Sequence, residues 1–185
     1  NSKFLFDYDL KKKNWFNIGG KAKGYFKPDT LDDLVLFLKK FGKKERVFVL
    51  GAGSNILMTD KKFDGVVIKL GRNFSNLSLL PNKIIVAGSA VTDKKLSEFA
   101  MDNNIGGFEF LSCIPGTVGG GLRINSGCFG SEFKDILVSV QVIDKKGNIK
   151  TIPSSSIKFG YRQSPLDKDF IFLSASFKGK IKEKN

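Results

Sequence analysis

Leu50-Gly51-Ala52-Gly53-Ser54-Asn55 is the stretch that decides how the first part of this chain folds, and it directly follows the apolar run Val47-Phe48-Val49. Such a run predicts a buried strand. Glycine accepts positive φ and lets successive backbone N–H groups converge without an intervening Cβ. A concavity of this kind binds anionic oxygen, and the Ser54 hydroxyl and the Asn55 amide add donors. The segment therefore predicts a diphosphate site, with a tight turn that binds nothing as the alternative.

Two better known phosphate motifs do not fit this loop. A Rossmann fingerprint needs glycine at its sixth position and a helix after the turn, whereas Ile56 and the polar run 59–62 follow here. A Walker loop needs Gly-Lys-Ser/Thr, which the chain lacks. The loop therefore belongs to neither class.

A second glycine-rich segment, Ile114-Pro115-Gly116-Thr117-Val118-Gly119-Gly120-Gly121, continues into the small and polar run 125–132. Ordering so many glycines costs backbone entropy, so we expect a compensating interaction. Two such loops suggest one long ligand laid across two lobes, with a diphosphate at one end and a flat ring at the other. This describes a dinucleotide cofactor.

Composition excludes several kinds of chemistry. The 185 residues carry 31 Lys+Arg against 18 Asp+Glu, a net charge of +13, and no histidine. Without histidine there is no Ser-His-Asp triad, no histidine metal cluster and no histidyl-linked cofactor. Only four of the basic residues are arginine and the lysines are dispersed, which favours a solvated surface over nucleic-acid readout. A basic binding module without enzymatic activity stays open as an alternative.

Cysteine usage and hydropathy favour a cytoplasmic protein. Cys113 and Cys128 form no CxxC motif and no secretory signal is present, so we expect two buried free thiols in a reducing compartment. No apolar run approaches the roughly 18 residues of a transmembrane helix, and membrane insertion is not predicted. The sequence does not indicate an oligomeric state.

The pattern along the chain predicts two lobes of mixed α/β structure. We expect an N-terminal arm over 1–16, a first lobe over 17–71, a second over 72–178, and a tail over 179–185. Helices are predicted over 31–41 after Thr30 and up to about Asn103 after Thr92. Strands are predicted over 65–70, 84–87, 137–143 and 170–177, and 106–130 is predicted as a glycine-rich loop region.

In its ordered motifs the chain closely resembles the UDP-N-acetylenolpyruvoylglucosamine reductase family. No single motif is diagnostic, but their order and spacing over about residues 14–178 are specific. The resemblance implies an α+β, two-lobed FAD-binding domain of the vanillyl-alcohol-oxidase (PCMH) type. The motifs that carry it are Asn17-Ile18-Gly19-Gly20, Leu50 to Asn55, Gly107-Phe108-Glu109-Phe110-Leu111, Ile114 to Gly121, Asn125 to Glu132, and Phe159-Gly160-Tyr161-Arg162.

The same resemblance implies that the two loops hold FAD non-covalently and that no metal is bound. The first loop would bind the diphosphate, and the later loops would run along the flavin. The implied cofactor-binding residues are Leu50, Gly51, Ala52, Gly53, Ser54, Asn55, Ile114, Pro115, Gly116, Thr117, Gly119, Gly120, Asn125, Gly127 and Cys128.

The family's reaction is implied in the same way. NADPH reduces the flavin, which passes hydride to the enolpyruvyl carbon of a UDP-sugar in peptidoglycan synthesis. Arg162 is the implied catalytic residue, and Tyr161 and Arg162 are the implied substrate-binding pair. The family's proton-donating serine and its glutamate belong to a further domain, so we expect this chain to be inactive alone. An oxidase of the vanillyl-alcohol-oxidase group is the alternative within the fold.

Four residues near the second loop depart from that pattern or carry no catalytic expectation. Phe129 stands where relatives commonly carry tyrosine. Ser126 and Ser131 are expected to serve turn geometry or hydrogen bonding, and Glu132 is expected to cap a helix rather than to act in catalysis.

Overall fold

The computed structural model describes residues 2–181, so the first residue of the predicted arm and the end of the predicted tail lie outside it. A four-stranded sheet comes first, in the order β1-β2-β4-β3. Strands β2, β3 and β4 run parallel, and β1 is antiparallel to β2. The elements are β1 (Lys3–Asp9), β2 (Lys21–Lys27), α1 (Leu31–Phe41), β3 (Val47–Val49) and β4 (Phe63–Ile68).

Helix α1 begins where the sequence predicts. The Thr30 hydroxyl accepts a hydrogen bond from the Asp33 N–H, and the Asp33 carboxylate accepts one from the Thr30 N–H. This capping box satisfies two N–H groups that the first turn would otherwise leave unpaired. Leu34, Phe37 and Leu38 are buried on the face of the helix that packs inward.

Two features of the first sheet differ from the sequence prediction. Strand β3 was expected to be buried, but it lies at the sheet edge with Phe48 39% exposed. An apolar run does not distinguish an edge strand whose one face packs on the core from a central strand. Residues 3–9, within the predicted arm, pair along the length of β2 as the other edge strand.

The rest of the chain builds a second, antiparallel sheet of five strands in the order β11-β10-β12-β6-β5. Its strands lie close to those predicted, and β5 and β11 are additional edge strands. The elements are β5 (Leu77–Leu80), β6 (Ile84–Gly88), α2 (Asp93–Asp102), β7 (Ile105–Gly106), α3 (Val118–Ile124), β8 (Gly127–Cys128), β9 (Ser131–Glu132), α4 (Phe133–Ile136), β10 (Leu137–Ile143), β11 (Ile149–Pro153), β12 (Ile171–Lys178) and β13 (Lys180–Ile181).

The glycine-rich region 106–130 is not simply a loop. It holds α3 and a short 3₁₀ helix over Glu109–Cys113. Helix α3 forms despite three glycines because Val118 and Leu122 are fully buried in the core of the second lobe. Tertiary packing here outweighs poor helix propensity.

The two sheets share part of their core. One buried cluster lies within the second lobe, and another contains residues of both sheets and of α1, including Phe26, Leu34, Ile68, Ile143 and Leu173. The two lobes therefore pack directly on one another. Within residues 2–181, every helix is too short or too polar to span a membrane.

Candidate functional site

The two predicted glycine loops meet in the structure. A Cβ added to Gly51 would lie 2.8 Å from the Thr117 Oγ1 and 4.0 Å from the Gly120 Cα. The first loop follows β3 and leaves the carboxyl edge of the parallel strands, while Thr117 precedes α3 in the second lobe. The predicted loops, about 60 residues apart in sequence, therefore form one site at the junction of the lobes.

Gly53 is required by backbone packing within the first loop. Its φ is +73°, and an added Cβ would lie 2.3 Å from the Lys13 carbonyl oxygen. The Gly53 carbonyl also accepts a hydrogen bond of 3.0 Å from the Trp15 N–H. Any side chain at this position would disrupt the fold locally, so a substitution of Gly53 cannot separate cofactor binding from folding.

Three of the four glycines in the second segment are explained by close packing. An added Cβ would lie 2.5 Å from an Asp93 carboxylate oxygen at Gly116, 3.0 Å from the Ser89 Cβ at Gly119, and 2.2 Å from the Phe133 ring at Gly121. The compensation expected for so many glycines is therefore mostly helix packing. The first two N–H groups of α3 are also in use, because the Val118 and Gly119 amides donate to the Val91 and Ser89 carbonyls at 2.9 Å.

Gly120 differs from its neighbours. It is exposed, and an added Cβ would meet only the Thr117 Oγ1, at an ordinary 3.5 Å. No packing within the described residues explains a glycine here, yet its Cα faces Gly51. This is the position in the second segment where a missing side chain leaves room for a ligand.

A strongly basic groove of about 360 Å³ adjoins the first loop. We call it the basic groove. The Lys69 ammonium donates a hydrogen bond to the Gly51 carbonyl and so joins the groove to the loop. Its four cationic side chains give the groove the charge that an anion site requires. The lining residues are Lys13, Tyr25, Lys27, Lys69, Leu70, Gly71, Arg72, Ser75 and Ala90.

The charges in the basic groove repel one another. Burial, and then the charges of Lys13 and Lys27, lower the pKa of the half-buried Lys69. The Lys13 ammonium lies over the stacked rings of Tyr8 and Tyr25, at 5.6 and 6.0 Å from their centroids, and its hydrogen bond with the Tyr8 hydroxyl raises its pKa. An anion bound in the groove would relieve this repulsion.

Asn125, a predicted cofactor-binding residue, is fully buried and makes hydrogen bonds within the protein. It ends α3 in the left-handed conformation with φ 45°. Its amide nitrogen donates to the Glu132 carboxylate at 3.0 Å and to the Gly160 carbonyl at 3.1 Å, and its oxygen accepts from the Lys134 N–H at 3.1 Å. The residue thus fixes the path of the chain around the hairpin of β8 and β9.

Arg162 lies in a second hollow, of about 460 Å³, bounded by the β8–β9 hairpin and residues 161–162. The guanidinium donates to the Gly127 carbonyl at 3.3 Å, and Arg162 has a φ of 53°. Tyr161 is 81% exposed and Phe129 at the hairpin tip is 89% exposed. We call this the arginine hollow; it exposes a permanent cation beside two aromatic rings.

Glu132 has the capping position that the sequence predicts. It precedes α4, and its N–H donates to the Asp135 carboxylate at 2.8 Å. Its own carboxylate pairs with Lys134 at 2.7 Å, and this hydrogen bond is the main reason that its pKa is lowered. The residue is therefore engaged in local structure.

The remaining predicted residues vary in exposure. Leu50 and Thr117 are buried, Ala52, Ser54, Ile114 and Gly127 are half-buried, and Asn55 and Pro115 are exposed. The expectation of two buried thiols is wrong, because Cys113 is exposed and Cys128 is half-buried. Cysteine is small, but small size alone does not bury a side chain when its segment lies at the protein surface.

Asp93 is a buried acid that sequence reasoning did not single out. It is the first residue of α2, it is fully buried, and neither carboxylate oxygen has a hydrogen-bond partner among the described residues. Burial raises its pKa from 3.8 to about 7. A Cβ added to Gly116 would lie 2.5 Å from one of its oxygens, so the buried acid packs against the second loop.

Sequence reasoning missed two further features of the site, because both depend on residues that only the fold brings together. The basic groove draws its cations from the 3₁₀ helix Lys11–Lys13, from the end of β2 and from the segment 69–72. Parallel pairing of β2 with β4 makes the last two neighbours. Lys69 and Arg72 flank the predicted lobe boundary, and this position was the only signal available. The distinct character of Gly120 depends on neighbours that sequence alone does not supply.

Comparison with known proteins gives one family match and several relatives. The family model described as an FAD binding domain matches residues 22–153. A UDP-N-acetylenolpyruvoylglucosamine reductase of Pelagibacter ubique (strain HTCC1062) is 67% identical over 184 residues, which is 100% of this chain and 61% of the relative. The chain thus spans about three fifths of that relative's length.

Solved structures resemble the chain in the same way. The crystal structure of a UDP-N-acetylenolpyruvylglucosamine reductase from Thermus caldophilus superposes with a TM-score of 0.80 at 26% identity, covering 100% of this chain and 64% of that one. A cholesterol oxidase of Brevibacterium sterolicum superposes with a TM-score of 0.66 at 11% identity, covering 96% of this chain and 38% of that one. The second likeness concerns the fold alone.

Proposed function

Because this chain belongs to the family of FAD-binding domains, we propose that it binds FAD between its lobes as the flavin-binding part of a UDP-N-acetylenolpyruvoylglucosamine reductase. The fold is the α+β, two-lobed FAD-binding fold of the vanillyl-alcohol-oxidase type, which the solved relatives share. The reductase identity draws on the two reductase relatives. The lobe boundaries near residue 71 and the assignment of individual residues are part of the proposal.

The observation that carries the proposal is the meeting of Gly51 with Thr117 and Gly120 beside the Lys69 ammonium. A diphosphate needs convergent N–H donors and compensating positive charge. In our assignment the loop 50–55 would supply the N–H donors, and the basic groove supplies the positive charge, so the residues present fit the group. We assign the diphosphate to Gly51–Asn55 and Lys69, with Lys13 as a second cation.

The flavin end is assigned to the second loop and the β8–β9 hairpin. The exposed face of Gly120 permits close approach of a flat ring to the backbone. Thr117, Gly127 and Cys128 border the same side of the second lobe in our assignment. When bound, FAD would supply hydride transfer, a chemistry that the side chains of this chain cannot perform.

Arg162 is proposed to hold the substrate carboxylate. The guanidinium is exposed in the arginine hollow, and among residues 2–181 it makes one long hydrogen bond, to the Gly127 carbonyl, so its planar fork can turn toward a carboxylate. A permanent cation also stabilises negative charge that develops on the adjacent carbon. Tyr161 would contact the same substrate. We place the activity in the cytoplasm with NADPH as the reductant.

Spectroscopy and turnover together test the proposal. The purified chain, incubated with FAD and desalted, should retain a flavin absorption spectrum that NADPH bleaches under anaerobic conditions if the reductant also binds here. A protein extended to the length of the Pelagibacter ubique relative should oxidise NADPH only when the UDP-sugar enolpyruvate is present. Oxygen consumption with an alcohol and no NADPH oxidation would instead identify an oxidase and refute the proposed reductase.

A further inference from the structure

The basic groove carries more positive charge than the diphosphate of FAD can balance. Its lining contains no aspartate or glutamate, and among residues 2–181 none of its four cations forms an ion pair with a carboxylate. These cations are Lys13, Lys27, Lys69 and Arg72. The FAD diphosphate carries about two negative charges, because neither phosphate is terminal and each ionises once near neutral pH. About two positive charges are therefore left without a counter-charge.

Two of the cations lie at the inner end of the groove, beside the first loop. Lys69 is half-buried and its ammonium donates to the Gly51 carbonyl. The backbone of Lys13 packs against Gly53, and the Lys13 ammonium lies 6.0 Å from the centroid of the Tyr25 ring. The proposed function assigns these two cations to the diphosphate of FAD, and their charge matches it.

The other two cations, Lys27 and Arg72, form an outer pair at the exposed end of the groove. Strand β2 ends at Lys27, and Arg72 begins a 3₁₀ helix over Arg72–Phe74. A Cβ added to Gly71 would lie 3.5 Å from the Lys27 Cε, so the Lys27 side chain crosses the backbone next to Arg72. Ser75 borders the same end, where its hydroxyl donates to the Arg72 carbonyl at 2.6 Å. The proposed function leaves this outer pair without a role.

A triphosphate matches the charge of the whole groove. A nucleoside triphosphate carries about four negative charges at neutral pH, since its terminal phosphate ionises a second time with a pKa of about 6. The groove, of about 360 Å³, has the size of a small-molecule site, for which roughly 300–1,000 Å³ is usual. Phosphate oxygens form charge-assisted hydrogen bonds with unpaired cations, and these are stronger than neutral ones. A bound triphosphate would also offset the repulsion among the four cations.

We propose that the basic groove binds a triphosphate group, with the outer pair holding the third phosphate, and that a nucleoside triphosphate thereby competes with FAD for the apoprotein. The competition rests on the proposed FAD site, whereas triphosphate binding rests on the charges of the groove alone. Loading of the cofactor would then depend on the ratio of FAD to nucleoside triphosphate around the newly folded chain.

A competition titration of the purified chain tests the inference. FAD is the probe, flavin fluorescence measures the bound fraction, and ATP, ADP, AMP and inorganic triphosphate are the competitors in magnesium-free buffer. ATP should displace FAD at a concentration roughly tenfold lower than ADP does, because it makes one more set of charge-assisted contacts, and AMP should be weaker still. Inorganic triphosphate should also compete, since the groove binds the phosphates. ATP that competes no better than ADP, or inorganic triphosphate without effect, would overturn the proposal.

A double variant separates the outer pair from the FAD site. Lys27→Ala combined with Arg72→Ala should weaken ATP binding roughly tenfold or more and change the affinity for FAD by less than about threefold. Lys43→Ala combined with Lys44→Ala is the matched control, because it removes the same charge at exposed positions outside the groove and should leave both affinities nearly unchanged. Equal affinity of the first variant and the wild type for ATP, or an equal loss in the control, would contradict a role of the outer pair.

This inference and the proposed function fail in different ways. A chain that binds FAD but does not release it to ATP would overturn the inference and leave the proposed function intact. A folded chain that binds ATP in a calorimetric titration but does not bind FAD would refute the FAD site and the competition, and would retain the triphosphate site.

Discussion

Replacing Asp93 with asparagine should change how the stability of the chain depends on pH. The folded carboxyl has its pKa raised from 3.8 to about 7 by burial, so between these values the folded chain holds a proton that the unfolded chain has released. The free energy of unfolding therefore falls as pH rises through this window. At about 1.4 kcal/mol per pH unit the whole window corresponds to about 4 kcal/mol, as an upper limit.

Asparagine has nearly the same shape but does not titrate, so it removes the pH-dependent part alone. Urea unfolding followed by far-UV circular dichroism at about pH 5.5 and about pH 8 should show the variant gaining about 2 kcal/mol on the wild type between the two conditions. Any constant cost of burying the amide cancels in this comparison. Asp102→Asn, an exposed position at the other end of α2, is the matched control. A difference between Asp93→Asn and wild type that does not vary with pH would refute the reasoning.

Three further substitutions test the site. Gly120→Ala should raise the free energy of unfolding by up to about 1 kcal/mol, because its Cβ meets open space within a helix. Gly121→Ala should lower it by about 1–3 kcal/mol, because its Cβ would clash with Phe133. Urea unfolding measures both effects, and equal effects would contradict the packing described here. Lys69→Ala should weaken FAD binding roughly tenfold or more, whereas the control Lys62→Ala, at an exposed position, should change it little. Flavin fluorescence measures both affinities. Equal affinities of the two variants for FAD would remove Lys69 from the diphosphate site. Arg162→Lys in the extended protein should retain FAD but lose most turnover in an NADPH assay, because a point charge cannot replace a bidentate fork; unchanged turnover would exclude the role.

Local sequence signals predicted the regular elements well. Thr30 and Asp33 form the capping box of α1, and the strand predicted over 137–143 has those bounds in the structure. These elements depend on side chains close together in the sequence. The same holds for the first loop, where glycine follows an apolar strand.

Features that depend on distant neighbours could not be predicted. Helix α3 contains three consecutive glycines, and it forms because Val118 and Leu122 fit the core of the second lobe. The basic groove needs the register of β2 against β4 to bring Lys69 beside Lys27, and the 3₁₀ helix Lys11–Lys13 to add Lys13. Dispersed lysines in the sequence thus become a local cluster, and the glycines of one segment separate into those that pack and one that is open.

A titration of FAD with the purified chain, read by flavin fluorescence and repeated with Gly120→Ala, tests the central claim most directly. We expect saturable binding of one FAD per chain, and an affinity about tenfold weaker or more for the alanine variant, because its methyl group would occupy open space that we assign to the cofactor. Folded protein that shows no saturable binding, or Gly120→Ala that binds FAD as tightly as the wild type, would contradict a cofactor held where Gly51 and Gly120 meet.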